Sequence, residues 1–326
     1  LLKQKNNPSK RSLSRRDRYD SVCFGIRNRK DRYMEQQGRI ITSLGGFYQV
    51  ALPSGEMLDC RAKGKFRKDQ QKPLVGDLVR VEQNDQGLSM VSAILPRKNQ
   101  LVRPPLANLD QLVLVTSLAD PAPNRLVLDQ LIAVAEHQSI APVVVFTKAD
   151  LADAQSIFSV YQKAGFPTFA VREDRPDTAQ PIRELLKGKI TAFTGNTGVG
   201  KSTLLNRLYP QLQLDTGEIS KKLGRGRHTT RQVMLYALPE GGYAADTPGF
   251  SAMDFLRYVP IRKEELADCF REFAPYVDHC RFTGCSHTVE KGCAVLAALE
   301  AGEIARSRHE SCLLYTSPSP RDPKTS

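Results

Sequence analysis

Gly195-Asn196-Thr197-Gly198-Val199-Gly200-Lys201-Ser202 lies between an apolar run, Lys189-Ile190-Thr191-Ala192-Phe193-Thr194, and a stretch of helical character from Lys201 to Tyr209. Strand, glycine-rich loop and helix in that order are the context in which the G-x-x-x-x-G-K-[ST] pattern cradles phosphates. Glycine at 195, 198 and 200 lets backbone N–H groups close around an anion where a Cβ would block approach or forbid the dihedrals. The helix start adds unpaired N–H groups and the positive end of its dipole. Lys201 is placed to reach the β- and γ-phosphates of a nucleotide, and Ser202 to hold Mg2+ through its hydroxyl. Asn196, Thr197, Val199 and Thr203 complete the candidate contacts. The alternative, a glycine-rich turn without a ligand, leaves unexplained why strand, loop and helix all fall where the motif needs them.

Upstream, Thr147-Lys148-Ala149-Asp150 follows the apolar run Val143-Val144-Val145-Phe146. That puts it at the carboxyl end of a strand, where open α/β sheets bind ligands. A carboxylate at Asp150 accepts from the ring N–H and exocyclic amine of guanine, which adenine does not present together. The aliphatic stem of Lys148 covers the base plane, and Thr147, standing where Asn is usual, offers at most a weaker contact to the base. Alone, x-K-x-D fits a loop lysine and a helix-capping aspartate equally well. Paired with the phosphate loop it selects guanine and disfavours an ATP-dependent kinase.

Downstream, Tyr243-Ala244-Ala245 leads as a strand into Asp246-Thr247-Pro248-Gly249, where Asp246 would hold Mg2+ through water and the Gly249 N–H would meet a γ-phosphate. Phe250 occupies the place of a water-orienting polar residue, so unassisted hydrolysis should be slow. The basic loop Gly224-Arg225-Gly226-Arg227-His228-Thr229-Thr230-Arg231 supplies one switch threonine, Thr229 or Thr230. Its His228 is either a water-positioning catalytic group, acting with Lys201 and Thr230, or an ordinary surface histidine. The usual order places the phosphate loop first and the base reader last. Here the base reader comes first, so the domain reads as a circular permutation that keeps each strand-to-loop junction and moves only the chain ends.

Cys280, Cys285, His287 and Cys293 follow in the pattern C-x4-C-x-H-x5-C. Three sulfurs and an imidazole suit tetrahedral zinc, and with all four ligands from protein the site would be closed and structural. The spacing is not the common C-x2-C, and a disulfide or isolated buried thiols stay open. A reducing compartment, expected for a nucleotide-dependent chain without a signal peptide, weighs against the disulfide. His279 reads as a bystander, and Cys23, Cys60 and Cys269 as ordinary residues.

Short alternating runs recur near the N-terminus, at 39–42, 47–51, 57–61, 77–81 and 90–94, separated by Gly45-Gly46, Ser54-Gly55, Gly64 and Gln86-Gly87. Five strands so spaced form a small barrel, an RNA-binding OB-fold or a generic SH3-like one. Lys63, Lys65, Arg67 and Lys68 on one inter-strand segment favour a nucleic-acid surface. The chain carries a net charge of +12, and residues 1–33 hold eleven Lys or Arg against three Asp. Such an arm stays disordered until it meets polyphosphate, or is merely solvated. It has no apolar face for a membrane.

The order TKAD, GNTGVGKS, GRGRHTTR, DTPG and then the Cys/His cluster resembles the circularly permuted GTPases of the small ribosomal subunit, the RsgA/YjeQ family, from about Gly38 to His309. The resemblance implies an N-terminal OB-fold, a permuted α/β P-loop GTPase and a helical zinc-binding domain. It further implies GTP or GDP with Mg2+ and one Zn2+ as cofactors, and the small subunit, its rRNA and other assembly factors as partners. The role would be cytoplasmic and late in subunit maturation, for a monomer whose hydrolysis the subunit stimulates. A different class of function, an RNA-binding checkpoint that uses GTP as a conformational ligand without turnover, keeps the same motifs.

The expected divisions are a basic arm over 1–37, the barrel over 38–100, the GTPase over 101–258 and the zinc-binding domain over 259–311. Helices are expected at 125–136, 153–163, 263–273 and 294–306. Cys312 to Asp322 resembles the translation of a sequencing adapter. The expectation is therefore an unfolded, non-native tail over 312–326 and a zinc domain lacking its natural end.

Overall fold

The computed structural model describes residues 34–64, 66, 71–83, 89–214, 233–246, 256 and 259–315. The basic arm, Lys65, Arg67 and Lys68, the 224–231 loop with His228, Thr229 and Thr230, the Thr247–Phe250 segment and residues 316–326 lie outside them.

Strands β1 (Met34–Leu44), β2 (Phe47–Ala51), β3 (Met57–Ala62), β4 (Leu78–Gln83) and β5 (Ser89–Ile94) close in the order β1-β2-β3-β5-β4-β1. This OB-like closure decides between the two barrels left open by periodicity. Ile40, Tyr48, Val50, Leu58, Cys60, Val79, Val81 and Val91 fill the interior, alternating with exposed neighbours as a period of two requires. Gly45 and Gly46, at φ +58° and +87°, make the left-handed turn that a two-residue hairpin needs. β1 begins at Met34, four residues before the expected boundary, because Met34 to Gln37 pair with β4.

The barrel is joined to the next domain by packed chain. Buried Asp77 accepts from Arg97 Nε at 2.7 Å and from the Leu74 N–H at 2.7 Å. Arg39 donates to the Gly76 carbonyl at 2.7 Å and lies over the Tyr243 ring. Short strands β6 (Gln100–Leu101) and β7 (Leu106–Ala107) then lead into the second sheet.

That sheet contains β8 (Gln111–Ser117), β9 (Ala141–Thr147), β10 (Thr168–Ala170), β11 (Ile190–Thr194), β12 (Met234–Ala237) and β13 (Tyr243–Asp246), in the order β10-β9-β8-β11-β13-β12. All pairings are parallel except β12 with β13. Even-numbered residues Leu112, Leu114, Val144, Phe146 and Ala192 pack with helices α1 (Arg125–His137) and α2 (Gln155–Lys163). Odd-numbered Val113, Val115, Val143, Val145 and Phe193 pack with α3 (Gln180–Leu186) and α4 (Lys201–Leu208). With helices on both faces the central strands read as near-continuous apolar runs. Chain order runs outward in one direction from β8 and in the other from β11, so the crevice of the switch point opens between their carboxyl ends.

The C-terminal unit differs from expectation in three places. The stripe Leu266, Cys269, Phe270 and Phe273 has helical spacing, yet residues 263–273 form three short 3-10 turns. Phe270, at φ −114° and ψ 87°, breaks the helix and lets its ring stack on Phe273, centroids 5.4 Å apart. The expected helix over 294–306 splits into α5 (Ala294–Glu300) and α6 (Arg306–Tyr315). Gly302 at φ +73° stops α5 in a Schellman arrangement, with Glu303 N–H to Ala298 O and Gly302 N–H to Leu299 O. Cys312 to Tyr315 belong to α6, and Cys312 is buried, because this turn completes the core that holds Phe270, Phe273, Val295 and Ile304. The segment expected to stay unfolded from Cys312 onward is therefore helical through Tyr315.

Candidate functional site: nucleotide crevice and metal cluster

The carboxyl ends of β9 and β11 bring the segments Thr147–Asp150 and Gly195–Ser202 to one edge of the sheet, and β13, parallel to β11, ends there at Asp246. Gly195 carries a φ of +153°, and a Cβ there would sit 2.1 Å from the Val115 carbonyl oxygen on β8. Gly198 and Gly200 have φ of +83° and +88°, left-handed conformations that a side chain strains. The loop is thus a cradle that only glycine allows at these places. Lys201, first residue of α4, turns its Nζ onto the carbonyls of Gly195 at 2.6 Å and Asn196 at 3.0 Å, over the loop it would cross to reach a phosphate. Ser202 and Thr203 follow on the same first helical turn. Lys201 donates to its own loop, which places its charge at the cradle's mouth.

The Thr147 hydroxyl, for which at most a weak contact to a base is expected, is bonded within the chain. Its Oγ1 donates to the Val199 carbonyl at 2.7 Å and lies 3.3 Å from the Thr116 carbonyl. The hydroxyl therefore fastens the base-reading loop to the phosphate loop. Asp150 Oδ1 accepts from the Glu173 N–H at 2.9 Å, which fixes the carboxylate on the segment after β10. The sequence marked that segment's place without a motif. Lys148, at φ +55°, extends its Nζ to the Asp120 carbonyl on the loop after β8. Asp246 ends β13, beside β11, and its register partner is Met234.

Between phosphate loop and α1 lies a cleft lined by Thr116, Pro121, Asn124, Leu128, Thr194 and Val199. Thr194 Oγ1 is buried there with no hydrogen-bond partner. No sequence signal pointed to Thr194, Pro121 or Asn124, because their part depends on which strands meet at the switch point.

The second constellation assembles as its spacing predicts. The ligand atoms of Cys280, Cys285, His287 and Cys293 all lie within 4.8 Å of one another. Cys280 Sγ stands 3.8 Å from Cys293 Sγ and 3.7 Å from His287 Nδ1, which is 3.4 Å from Cys293 Sγ. A zinc tetrahedron with Zn–S of ~2.3 Å and Zn–N of ~2.0 Å has edges of ~3.8 and ~3.5 Å, so donor set and spacing both fit the ion. Three unbridged thiols at these positions exclude the disulfide in this arrangement.

Burial lowers the His287 imidazole, which keeps it neutral and able to ligate. Burial pushes the Cys293 thiol up to about 12. It acts the same way on Cys280, but the backbone N–H groups of Val295 and Ala294 outweigh it and hold that thiol below its ordinary value. Glu290 accepts from the N–H groups of Ser286 and Thr288 at 2.9 and 2.8 Å and braces the loop that carries His287.

The RsgA N-terminal domain description matches residues 37–91 and the RsgA GTPase description residues 94–256. A protein of Caldanaerobacter subterraneus subsp. tengcongensis, the small ribosomal subunit biogenesis GTPase RsgA, is 45% identical over 280 residues, covering 85% of this chain and 93% of its own. Its namesake in Streptococcus pyogenes serotype M3 is 45% identical over 285 residues, covering 86% and 94%. The crystal structure of YjeQ from Thermotoga maritima aligns with a TM-score of 0.72 at 32% identity, over 86% of this chain and 98% of that one. YloQ, described as a circularly permuted GTPase, aligns with a TM-score of 0.72 at 32% identity, over 89% and 96%. Motif order, sheet order and these matches agree that the chain belongs to the RsgA family of circularly permuted GTPases.

Proposed function

We propose that this chain binds the small ribosomal subunit and couples GTP hydrolysis to its biogenesis, with the subunit accelerating the hydrolysis. One observation carries the reading: an OB-like barrel, a permuted α/β sheet with a glycine cradle and a Cys3His cluster occupy one chain that is 45% identical to small-subunit biogenesis GTPases over most of its length. Within the crevice Asp150 reads the base, Gly195 to Ser202 hold the phosphates, and Ser202 with Asp246 hold Mg2+. His228, Thr229 and Thr230 are proposed from sequence alone. The rRNA-facing surface is the barrel's outer sheet, where Arg61 lies over the half-exposed Phe47 ring at 4.6 Å and exposed Met90 is the register partner of Arg61 on the neighbouring strand. Exposed aromatic and guanidinium planes stack on unpaired bases. Among the described residues no helix is long and apolar enough to cross a membrane.

The test is multiple-turnover phosphate release with and without small subunits. Subunits should raise turnover by roughly 10³ or more, the margin between unassisted and assisted GTPases. The gain should fall steeply with salt, because basic contacts to rRNA release counterions. Lys201→Ala should be inactive in both conditions. Turnover that subunits leave unchanged at low salt overturns the reading and leaves a checkpoint that only binds GTP.

The fastening by Thr147 makes a separate prediction. Thr147→Val keeps the side chain's shape but leaves the Val199 carbonyl without its donor, at a cost of ~1–3 kcal/mol, or about 5- to 150-fold in affinity. Titration of GDP should show that loss in Thr147→Val and its recovery in Thr147→Ser. Equal affinity across all three proteins would remove the fastening role.

A further inference from the structure

We infer that α6 couples the metal cluster to the nucleotide crevice through α1, with Arg308 and His309 as the positioning residues. The inference rests on the guanine-nucleotide and zinc readings above.

α1 presents two stripes. Asn124 at its cap, with Val127, Leu128 and Leu131, lines the cleft beside Thr194, Asn196 and Val199 of the phosphate loop. Asp129, Ala133 and Glu136, spaced at 0, 4 and 7 positions, face the C-terminal unit. That spacing is one face of a helix. Arg308, wholly buried, donates from Nη1 to Asp129 Oδ1 at 2.8 Å and from Nε to Glu272 Oε1 at 2.6 Å. Its guanidinium lies 4.5 Å from the Phe270 ring centroid. Burial alone would lower this guanidinium, and Asp129 and Glu272 reverse the effect, so it stays charged. A second arginine, Arg271, pairs with Glu136, the penultimate residue of α1.

The next residue on α6 faces the other way. His309 Nε2 lies 2.8 Å from the His287 carbonyl. A carbonyl only accepts, so Nε2 carries the proton. His287 is one of the four candidate zinc ligands and holds a left-handed φ of +55°. Adjacent residues of one helix thus hold the backbone of a metal ligand and a buried carboxylate of the helix that walls the nucleotide cleft. If the loop around His287 relaxes, α6 loses the bond that seats it. Arg308 then cannot leave without stranding the Asp129 charge in the interior, so α1 must follow. Displacement of α1 reshapes the wall at Leu128 and Leu131. By linkage, whatever metal does to nucleotide affinity, nucleotide must do to metal affinity by the same factor.

The experiment uses the full chain. GDP affinity is measured with metal bound and after extraction by a chelator, and zinc affinity by chelator competition with and without saturating GDP. Both shifts should be equal and about tenfold, within the roughly 5- to 150-fold span of such couplings. Asp129→Asn keeps size and an acceptor, and Arg308 retains Glu272. In this variant both ligands should still bind while the coupling factor falls toward one. Arg308→Lys, which keeps the charge but not the fork, should weaken it partway. A purely structural role would lower thermal stability in Asp129→Asn and leave the factor intact, which overturns the inference. So does a factor of one in the unaltered chain. A chain that binds no guanine nucleotide, or no zinc, fails at that earlier reading and is recognised by the corresponding titration alone.

Discussion

Replacing Cys285 with Ser is expected to release the metal and melt the C-terminal unit. A structural zinc site contributes an apparent ~10–16 kcal/mol in small zinc peptides, and that binding energy is folding energy. The core of this unit is small, built on Phe270, Phe273, Val295 and Ile304, with short 3-10 turns in place of a long helix. Elemental analysis should give one zinc per unaltered chain and none in Cys285→Ser, and chelator should reproduce the variant's melting curve. GDP binding should persist in weakened form, because Asp150, Lys201 and the glycine cradle lie elsewhere. Zinc-free protein purified without chelator, or melting that chelator leaves unmoved, would falsify the assignment.

Gly195→Ala should abolish nucleotide binding and destabilise the central domain. The new methyl would stand 2.1 Å from the Val115 carbonyl oxygen, a backbone atom of the neighbouring strand, and 3.1 Å from the Val199 side chain. Either β8 and β11 part, or the loop leaves its left-handed conformation and the cradle is lost. Backbone strain and overpacking together cost on the order of 2–6 kcal/mol. Gly64→Ala, where nothing lies within 4 Å of the added Cβ, serves as the control and should be near neutral. Thermal melts and GDP titration of both variants decide the matter. A Gly195→Ala protein that binds GDP like its parent would show that this close approach is not required.

Much of the site was legible because each motif marks a strand-to-loop junction, and junctions survive permutation. Apolar runs before Gly195 and Thr147 are enough to put both loops at the same end of parallel strands, and the run before Asp246 ends there too. The tie from Thr147 to Val199 was not legible, since it depends on β9 and β11 lying one strand apart across β8. Likewise the stripe from Leu266 to Phe273 has the helical period but not the helix. Periodicity reports which side chains are buried, and a chain of 3-10 turns buries nearly the same set. Gly302 was a readable stop signal that the apolar pattern of 294–306 overrode. Arg308 carries no signal at all, because a buried charge looks like a surface charge until its partners, Asp129 and Glu272, are brought in from distant parts of the chain.

The single pairing of Thr42 on β1 with Met234 on β12 has a consequence for solubility. β12 ends the six-stranded sheet, and an end strand offers unpaired N–H and C=O groups to any other extended chain. Here the barrel's first strand meets that end at this one pairing and joins the two sheets into one of eleven strands. At the opposite end β10 is only three residues long, too short to template another strand. The barrel thus serves its neighbour as an edge guard. A fragment beginning after β5 would bare β12 at Met234, and such a fragment should self-associate more readily than the whole chain.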